Sequence, residues 1–467
     1  NHQANNSSNS NRRRRRMSSI FRKSAQLIVD NPYTREASER ITLASVKSLG
    51  NSVESSSAAQ NAWKSVPLVE RIALGQKFVT SLLAKKDSIA QDLTKQIGKP
   101  LQQSHNEINT TVDRAQTILR LAPSVLSDDI LSDKGNVSRK VTKEPVGTVM
   151  VISPWNYPLL CGINAILPAV LAGNSVLVKP SFRASKTGQH FETAFAEAGF
   201  PKSLVSAIYP DDEHLSNLLG SKKFGAISFT GSTGVGKKVA TNVAPHFSNL
   251  VLELSSKDGS YVAPDADLAY AIDSLVDGVA YNAGQSCCGV KRIFVHESVY
   301  DKFVEGATAL FDKYVYGDPM SPEVTIGPIA NESGLSNLFN VVRKSVSGGA
   351  VVTTTKQKGL LGRYFAPTLL KDLTGDSFAM TADYFGPMVV VTPVKTDAEA
   401  ITRINNSDYG LTASIYTNDQ ERAAQIAPLL NVGTVYVNRC DYLDPELPWS
   451  GRKQSGNGKS LGTYGFG

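Results

Sequence analysis

The chain has 467 residues, enough for two or more lobes with sizeable cores and an enclosed site between them. With 41% hydrophobic and 19% charged residues it reads as a globular protein, which excludes a fibre or a wholly disordered chain. The formal net charge of +7 comes largely from Arg12 to Arg16; no basic stretch interleaved with aromatics follows in the body, so no nucleic-acid partner is expected.

Along the chain, residues 1–23 read as a basic polar tail that is expected to be disordered. Its Arg- and Ser-rich, acid-poor make-up also suits a mitochondrial transit peptide, so a cytoplasmic location is expected with a mitochondrial one as the alternative. From 58 to 97 apolar residues recur three and four apart, as in LVERIALGQKFVTSLLAKK, and a second amphipathic helix is predicted over 102–121. The polar, β-compatible stretch 133–144 interrupts this first lobe and reads as an extended arm. GTVMVISP and NSVLVKP are short β-branched runs closed by proline, and SLVSAIYP, FGAISFTGS and NLVLELSS continue an alternation of strand and helix. The apolar segment 163–172, broken by Asn164 and Pro168, is too short to span a membrane, and no membrane association is expected. After Asp258 a second set begins with DLAYAIDSLVDGVAYNAG, VKRIFVH and SVYDKFVEGATALFDKY, with later strands near Met388 and Val435. The fold class is therefore α/β, with two Rossmann-like, doubly wound lobes meeting near Glu253.

The chemistry-bearing residues are ambiguous one at a time. Four cysteines, Cys161, Cys287, Cys288 and Cys440, form no disulfide framework and point to a reducing compartment; six histidines show no ligand spacing, so no metal is expected. FTGSTGVGKKV sets small residues at a strand-to-helix turn, where free N–H groups can hold a phosphate, yet the same pattern suits a plain tight turn. Cys287 in NAGQSCCGVKR is equally readable as a nucleophile or as a small buried hydrophobe. Glu253 ends an apolar run at the lobe junction, where burial would raise its pKa toward that of a working base; a solvated strand end is the alternative.

The ensemble is more specific. NPYTREASE, GKPLQQSHNEI, EPVGTVMVISPWNYP, LPAVLAGNSVLVKPS, FTGSTGVG, LELSSKD, NAGQSCCGVKR, YFGPMVVV, SDYGLTASIYT and LPWSGRKQSGNGKSLGTYG occur in the order found in the aldehyde dehydrogenase superfamily, which the chain resembles from about Asn31 onward. The resemblance implies a cofactor-binding domain over 24–125 and 147–254, an oligomerisation arm over 126–146 with 464–467, and a catalytic domain over 255–463. It makes Cys287 the nucleophile, Glu253 the general base and Asn156 an oxyanion donor. It assigns Ile152, Ser153, Pro154, Trp155, Lys179, Ser181, Gly231, Ser232, Gly236, Leu254, Asp383 and Phe385 to the cofactor, NAD with NADP as the alternative. The implied activity is oxidation of a small or medium aldehyde to its acid through a Cys287 thioester, in a homodimer or larger oligomer. Tyr157, Leu160, Cys161, Ser286, Cys288 and Tyr442 are expected to wall the substrate tunnel, and no arginine is assigned to a substrate carboxylate.

The chain departs from the family at several positions. Ser255 and Ser256 stand where the family has glycines, so strain at φ > 0 or crowding of the nicotinamide is expected, and a catalytically impaired relative with a binding or structural role is the alternative reading. Phe182 replaces the glutamate that grips the adenosine 2′-hydroxyl in NAD-preferring members, leaving Arg183 or Lys186 as acceptors for a 2′-phosphate. Asp383 is one methylene shorter than the family's ribose-binding glutamate. The chain ends at Gly467, soon after GTYG, so the arm is expected to lack its β partner and a dimer is favoured over a tetramer.

Overall fold

A computed structural model describes residues 26–353, 362–371 and 377–466; the basic tail over 1–23 lies outside the described residues. The β-branched runs form a sheet in which Asn249–Glu253, Ala226–Thr230, Thr148–Ser153, Ser175–Pro180 and Val205–Ala207 lie side by side and parallel. Alternation along Thr148–Ser153 sends Val149 and Val151 into one apolar core and Met150 and Ile152 into the core on the opposite face. Burial on both faces explains why this strand reads as a continuous apolar run.

The helices that cover this sheet come from the periodic segments. Val46–Trp63, Leu68–Ala84, Lys86–Ile97 and Leu101–Val125 precede the sheet, and Pro158–Leu171, which holds the apolar segment expected over 163–172, is the first crossover. Among the described residues no helix is long and apolar enough to cross a membrane. The second lobe carries a seven-stranded sheet in the order Val351–Val352, Thr368–Lys371, Met388–Val394, Arg292–His296, Gly259–Val262, Thr412–Tyr416 and Thr434–Val437. Apart from its antiparallel edge at Val351–Val352 it is parallel, so both lobes are doubly wound.

Two features were not legible in the sequence, the return of the last segment to the first sheet and a small N-terminal sheet, whereas a hairpin stands where the extended arm was expected. Gly456–Asn457 runs antiparallel to Asn249–Glu253, so the last segment of the chain returns from the second lobe to close the edge of the first sheet. The two strands Asp129–Lys134 and Val137–Val141 form an isolated exposed hairpin, whereas Gly462–Phe466 is a 3-10 turn whose Phe466 packs on the core of the first lobe. Gln26–Asp30 pairs with Ala37–Thr42 in a small antiparallel sheet; the second of these strands, ASERIT, is too polar to read as one.

Candidate active site

In the first sheet the chain winds outward from Thr148–Ser153 in one direction and then, through Ala226–Thr230, in the other. Loops leaving the carboxyl ends of these two neighbours diverge and open a crevice. A cavity of about 420 Å³ occupies it, lined by Ile152, Ser153, Pro154, Trp155 and Asn156 at the end of the first strand and by Lys179 and Ser181 at the end of the second. Gly231 and Ser232 follow Ala226–Thr230, Glu253 and Leu254 come from the next strand, and the second lobe contributes Cys287, Asp383 and Phe385. Gly236 is the exception. It is buried in helix Thr233–Val243, where an added Cβ would sit 2.4 Å from Leu254 Cδ2, so its bareness serves the packing of Leu254.

The donor set of this cavity fits a dinucleotide. Ser232 precedes helix Thr233–Val243 without any side-chain bond to it, so first-turn N–H groups are not taken by a capping side chain there and could serve an anion. The Lys179 ammonium stands 4.5 Å over the Phe182 ring, and no carboxylate among the described residues reaches it; burial lowers its pKa. Trp155 and Phe385 meet edge to face at 5.6 Å, one ring from each lobe. The 2′-phosphate acceptors expected from the sequence are not available: Arg183 is paired with Asp30 at 2.8 Å and Lys186 with Asp92 at 2.7 Å, and neither lines the cavity. Their partners come from distant segments that the local sequence does not reveal. Sequence reasoning also missed Gly334 and Asn337 of helix Glu332–Ser347; Asn337 Nδ2 donates to the Asp383 carbonyl at 3.0 Å.

A second cavity of about 240 Å³ lies on the far side of the junction, and Tyr157, Leu160, Cys161, Ser286, Cys288 and Tyr442 all line it. Among the described residues it shares only Cys287 and Glu253 with the first. Cys287 follows helix Leu268–Ala280 through a left-handed stretch at Asn282, Ala283 and Gly284, with φ of 52°, 53° and 66°. At Gly284 a Cβ would lie 2.3 Å from the Gly386 backbone, so only glycine fits. The neighbouring thiol is held elsewhere: Cys288 Sγ donates to Asp441 Oδ1 at 2.8 Å, beside Ser286 Oγ at 2.9 Å.

Asn156 is fixed from behind. Its carbonyl accepts from Lys99 Nζ at 2.7 Å and from Asn282 Nδ2 at 3.2 Å, tying the loop after the first strand to the cysteine loop. Lys99 is ion-paired with Glu107, both fully buried, and Glu107 Oε1 accepts the Leu159 N–H at 2.9 Å at the start of helix Pro158–Leu171. Glu253 accepts from Thr230 Oγ1 at 3.3 Å and from Ser460 Oγ. Burial pushes its carboxyl above the usual glutamate range, against lowering by Ser460, Arg114 and Thr230.

Neither Ser255 nor Ser256 has φ > 0, so the strain expected from the sequence is absent. The two serines also differ in role. Ser255 lines the first cavity, and its Oγ accepts the Thr233 N–H at 3.4 Å. Ser256 is fully buried below the cysteine loop, where its hydroxyl donates to the Cys287 carbonyl.

Comparison with known proteins gives a consistent result. The model of the aldehyde dehydrogenase family matches residues 21–467. The chain is 29% identical to a succinate-semialdehyde dehydrogenase [NADP(+)] of Deinococcus radiodurans over 93% of its own length and 91% of the relative's. It superposes with a TM-score of 0.90 and 29% identity on an NADP-dependent glyceraldehyde-3-phosphate dehydrogenase from Bacillus halodurans complexed with NADP, covering 95% of this chain and 94% of that one. A betaine aldehyde dehydrogenase from Staphylococcus aureus in complex with NAD+ gives 0.90 and 27%, covering 94% and 89%.

Proposed function

The chain belongs to the aldehyde dehydrogenase family, and we propose that it oxidises an aldehyde to the carboxylic acid with NAD(P) through a thioester on Cys287. One observation carries the residue assignment: Cys287 and Glu253 are the two side chains common to a dinucleotide-shaped cavity and a smaller one beyond it. A carbonyl carbon bonded to the Cys287 sulfur would lie at that junction.

The Cys287 thiolate attacks the aldehyde carbon, and the oxyanion that forms is met by the side-chain amide of Asn156, whose backbone carbonyl is held by Lys99 and Asn282. When bound, the nicotinamide supplies the hydride acceptor. Lys179, Ser232 and the first turn of helix Thr233–Val243 would hold the ribose and phosphates, and Trp155 with Phe385 would line the site of the ring. Glu253, its basicity raised by burial, then takes a proton from water as that water attacks the thioester. The acid leaves and the thiol is restored. With Phe182 supplying no carboxylate to repel a 2′-phosphate, either dinucleotide is accepted.

Ile130 and Val137, respectively 75% and 59% exposed on the isolated hairpin, support a homodimer or larger assembly in which a second copy covers them. Four free thiols support a reducing compartment such as the cytoplasm. The decisive experiment follows absorbance of the reduced cofactor with NAD or NADP and a panel of aldehydes. Turnover that Cys287→Ser abolishes is the expected result; no turnover with any aldehyde would overturn the proposal.

A further inference from the structure

Helix Leu101–Val125 buries a charged residue on its apolar stripe, Arg114, which is 4% exposed and lines the smaller cavity with Cys287 and Glu253. Among the described residues both of its hydrogen bonds leave from Nη1, to Asn164 Oδ1 at 3.1 Å and the Leu160 carbonyl at 3.3 Å. Its Nε is buried with no hydrogen-bond partner, and among the described residues no carboxylate forms an ion pair with it. The acids around the same cavity are engaged or solvated: Glu107 with Lys99, Glu253 with Ser460 and Thr230, Asp441 with Ser286 and Cys288, while Asp277 is exposed at the mouth. A guanidinium withdrawn from water without a directly paired carboxylate is costly, and the ties to Leu160 and Asn164 need no charge, since a neutral donor would make them.

We propose that Arg114 is the anion subsite of the substrate cavity, and that the substrate is a short aldehyde bearing a carboxylate at the end of the chain away from its carbonyl. The inference rests on the assignment of Cys287 as nucleophile. Nη2, which makes neither of these bonds, is left to donate to a ligand carboxylate in a charge-assisted hydrogen bond. A ligand carboxylate would pair directly with the guanidinium and anchor the far end of the molecule while its carbonyl reaches Cys287. The cavity's size, about 240 Å³, restricts the substrate to a short chain.

The test compares kcat/KM for two aldehydes of equal length, one ending in a carboxylate and one in a methyl group, for the native enzyme, Arg114→Met and Arg114→Lys. Calorimetric titration of the same proteins with the product dicarboxylate, without cofactor, is the second readout. The native enzyme should prefer the carboxylate substrate, and Arg114→Met should lose roughly 10- to 100-fold of that preference, the range of a hydrogen bond to a charged group. Arg114→Lys should recover part of the loss. Dicarboxylate binding should weaken in parallel with no change in cofactor affinity. Equal slowing of both aldehydes, or turnover without preference in the native enzyme, overturns the inference and leaves the proposed activity standing. If neither aldehyde is oxidised, the proposed activity fails, and the titration alone decides the subsite: Arg114-dependent binding supports it and none overturns it. Should Arg114→Met not fold, the comparison of Arg114→Lys with the native enzyme, by rate and by titration, decides between the same outcomes.

Discussion

Replacing Glu107 by glutamine isolates the support behind Asn156. The glutamine carbonyl keeps its bond from the Leu159 N–H, so the start of helix Pro158–Leu171 stays capped, but the negative charge facing Lys99 is gone. Both side chains are fully buried, and removing one partner from such a pair costs about 3–5 kcal/mol because the other charge is left uncompensated. Lys99 then retains its bond to the Asn156 carbonyl and is drawn toward water, pulling on the loop that carries the oxyanion donor. Equilibrium urea unfolding should register a loss on that scale, and kcat should fall up to about 100-fold, since a displacement near 1 Å at a reacting centre has that effect. The double variant Lys99→Met with Glu107→Leu removes both charges; it should regain all but about 1 kcal/mol, that remainder being the lost cap at Leu159. A Glu107→Gln protein within about 1 kcal/mol of native stability and with native kcat would refute the reasoning, because the pair would then not be uncompensated when broken.

The remaining predictions concern the two cavities. Glu253→Gln should release one equivalent of reduced cofactor per site and then turn over about 10²–10⁴-fold more slowly, as rapid-mixing absorbance would record. Because burial raises the Glu253 pKa, its carboxylate is lost as pH falls through a value above that of an ordinary glutamate; native kcat should decline on that acid limb, and the limb should vanish in the glutamine variant. Ser255→Gly should lower the cofactor KM by up to about tenfold by freeing the Thr233 N–H for a phosphate, whereas Ser256→Ala should leave KM unchanged and cost about 1–3 kcal/mol in urea unfolding, since the Cys287 carbonyl loses its donor. Phe182→Glu places a carboxylate beside Lys179 and should raise the KM for NADP relative to NAD by at least about tenfold, measured by initial rates; an unchanged ratio would show that the 2′ position lies elsewhere.

The strands and amphipathic helices were readable because both-face burial makes apolar runs of strand length and one-face burial makes a 3.6-residue period, as in Thr148–Ser153 and Leu101–Val125. Partners distant in sequence were not readable. Arg183 and Lys186 read as free for a 2′-phosphate until packing of separate segments brings Asp30 and Asp92 against them. The return of Gly456–Asn457 to the first sheet left no trace either, because a two-residue strand has no period. The two serines misled for a related reason. Their identity suggested backbone strain, but φ belongs to the loop, and the loop took a conformation that any residue adopts. Arg114 did leave a signal, a charge between Thr111 and Ile118 on the buried stripe of an amphipathic helix, but its place in the wall of the cavity, without a paired carboxylate, becomes visible only when the cavity is assembled.

Covalent trapping tests the central claim, that Cys287 carries the acyl group. Glu253→Gln enzyme is mixed with NAD(P) and a substrate aldehyde, quenched in acid after the burst, digested and examined by mass spectrometry. The acyl mass should appear on Cys287, at about one per site, with none on the peptide bearing Cys161 and with fragmentation placing it off Cys288. Reduced cofactor formed at full burst amplitude with no acyl group on Cys287 would contradict the account.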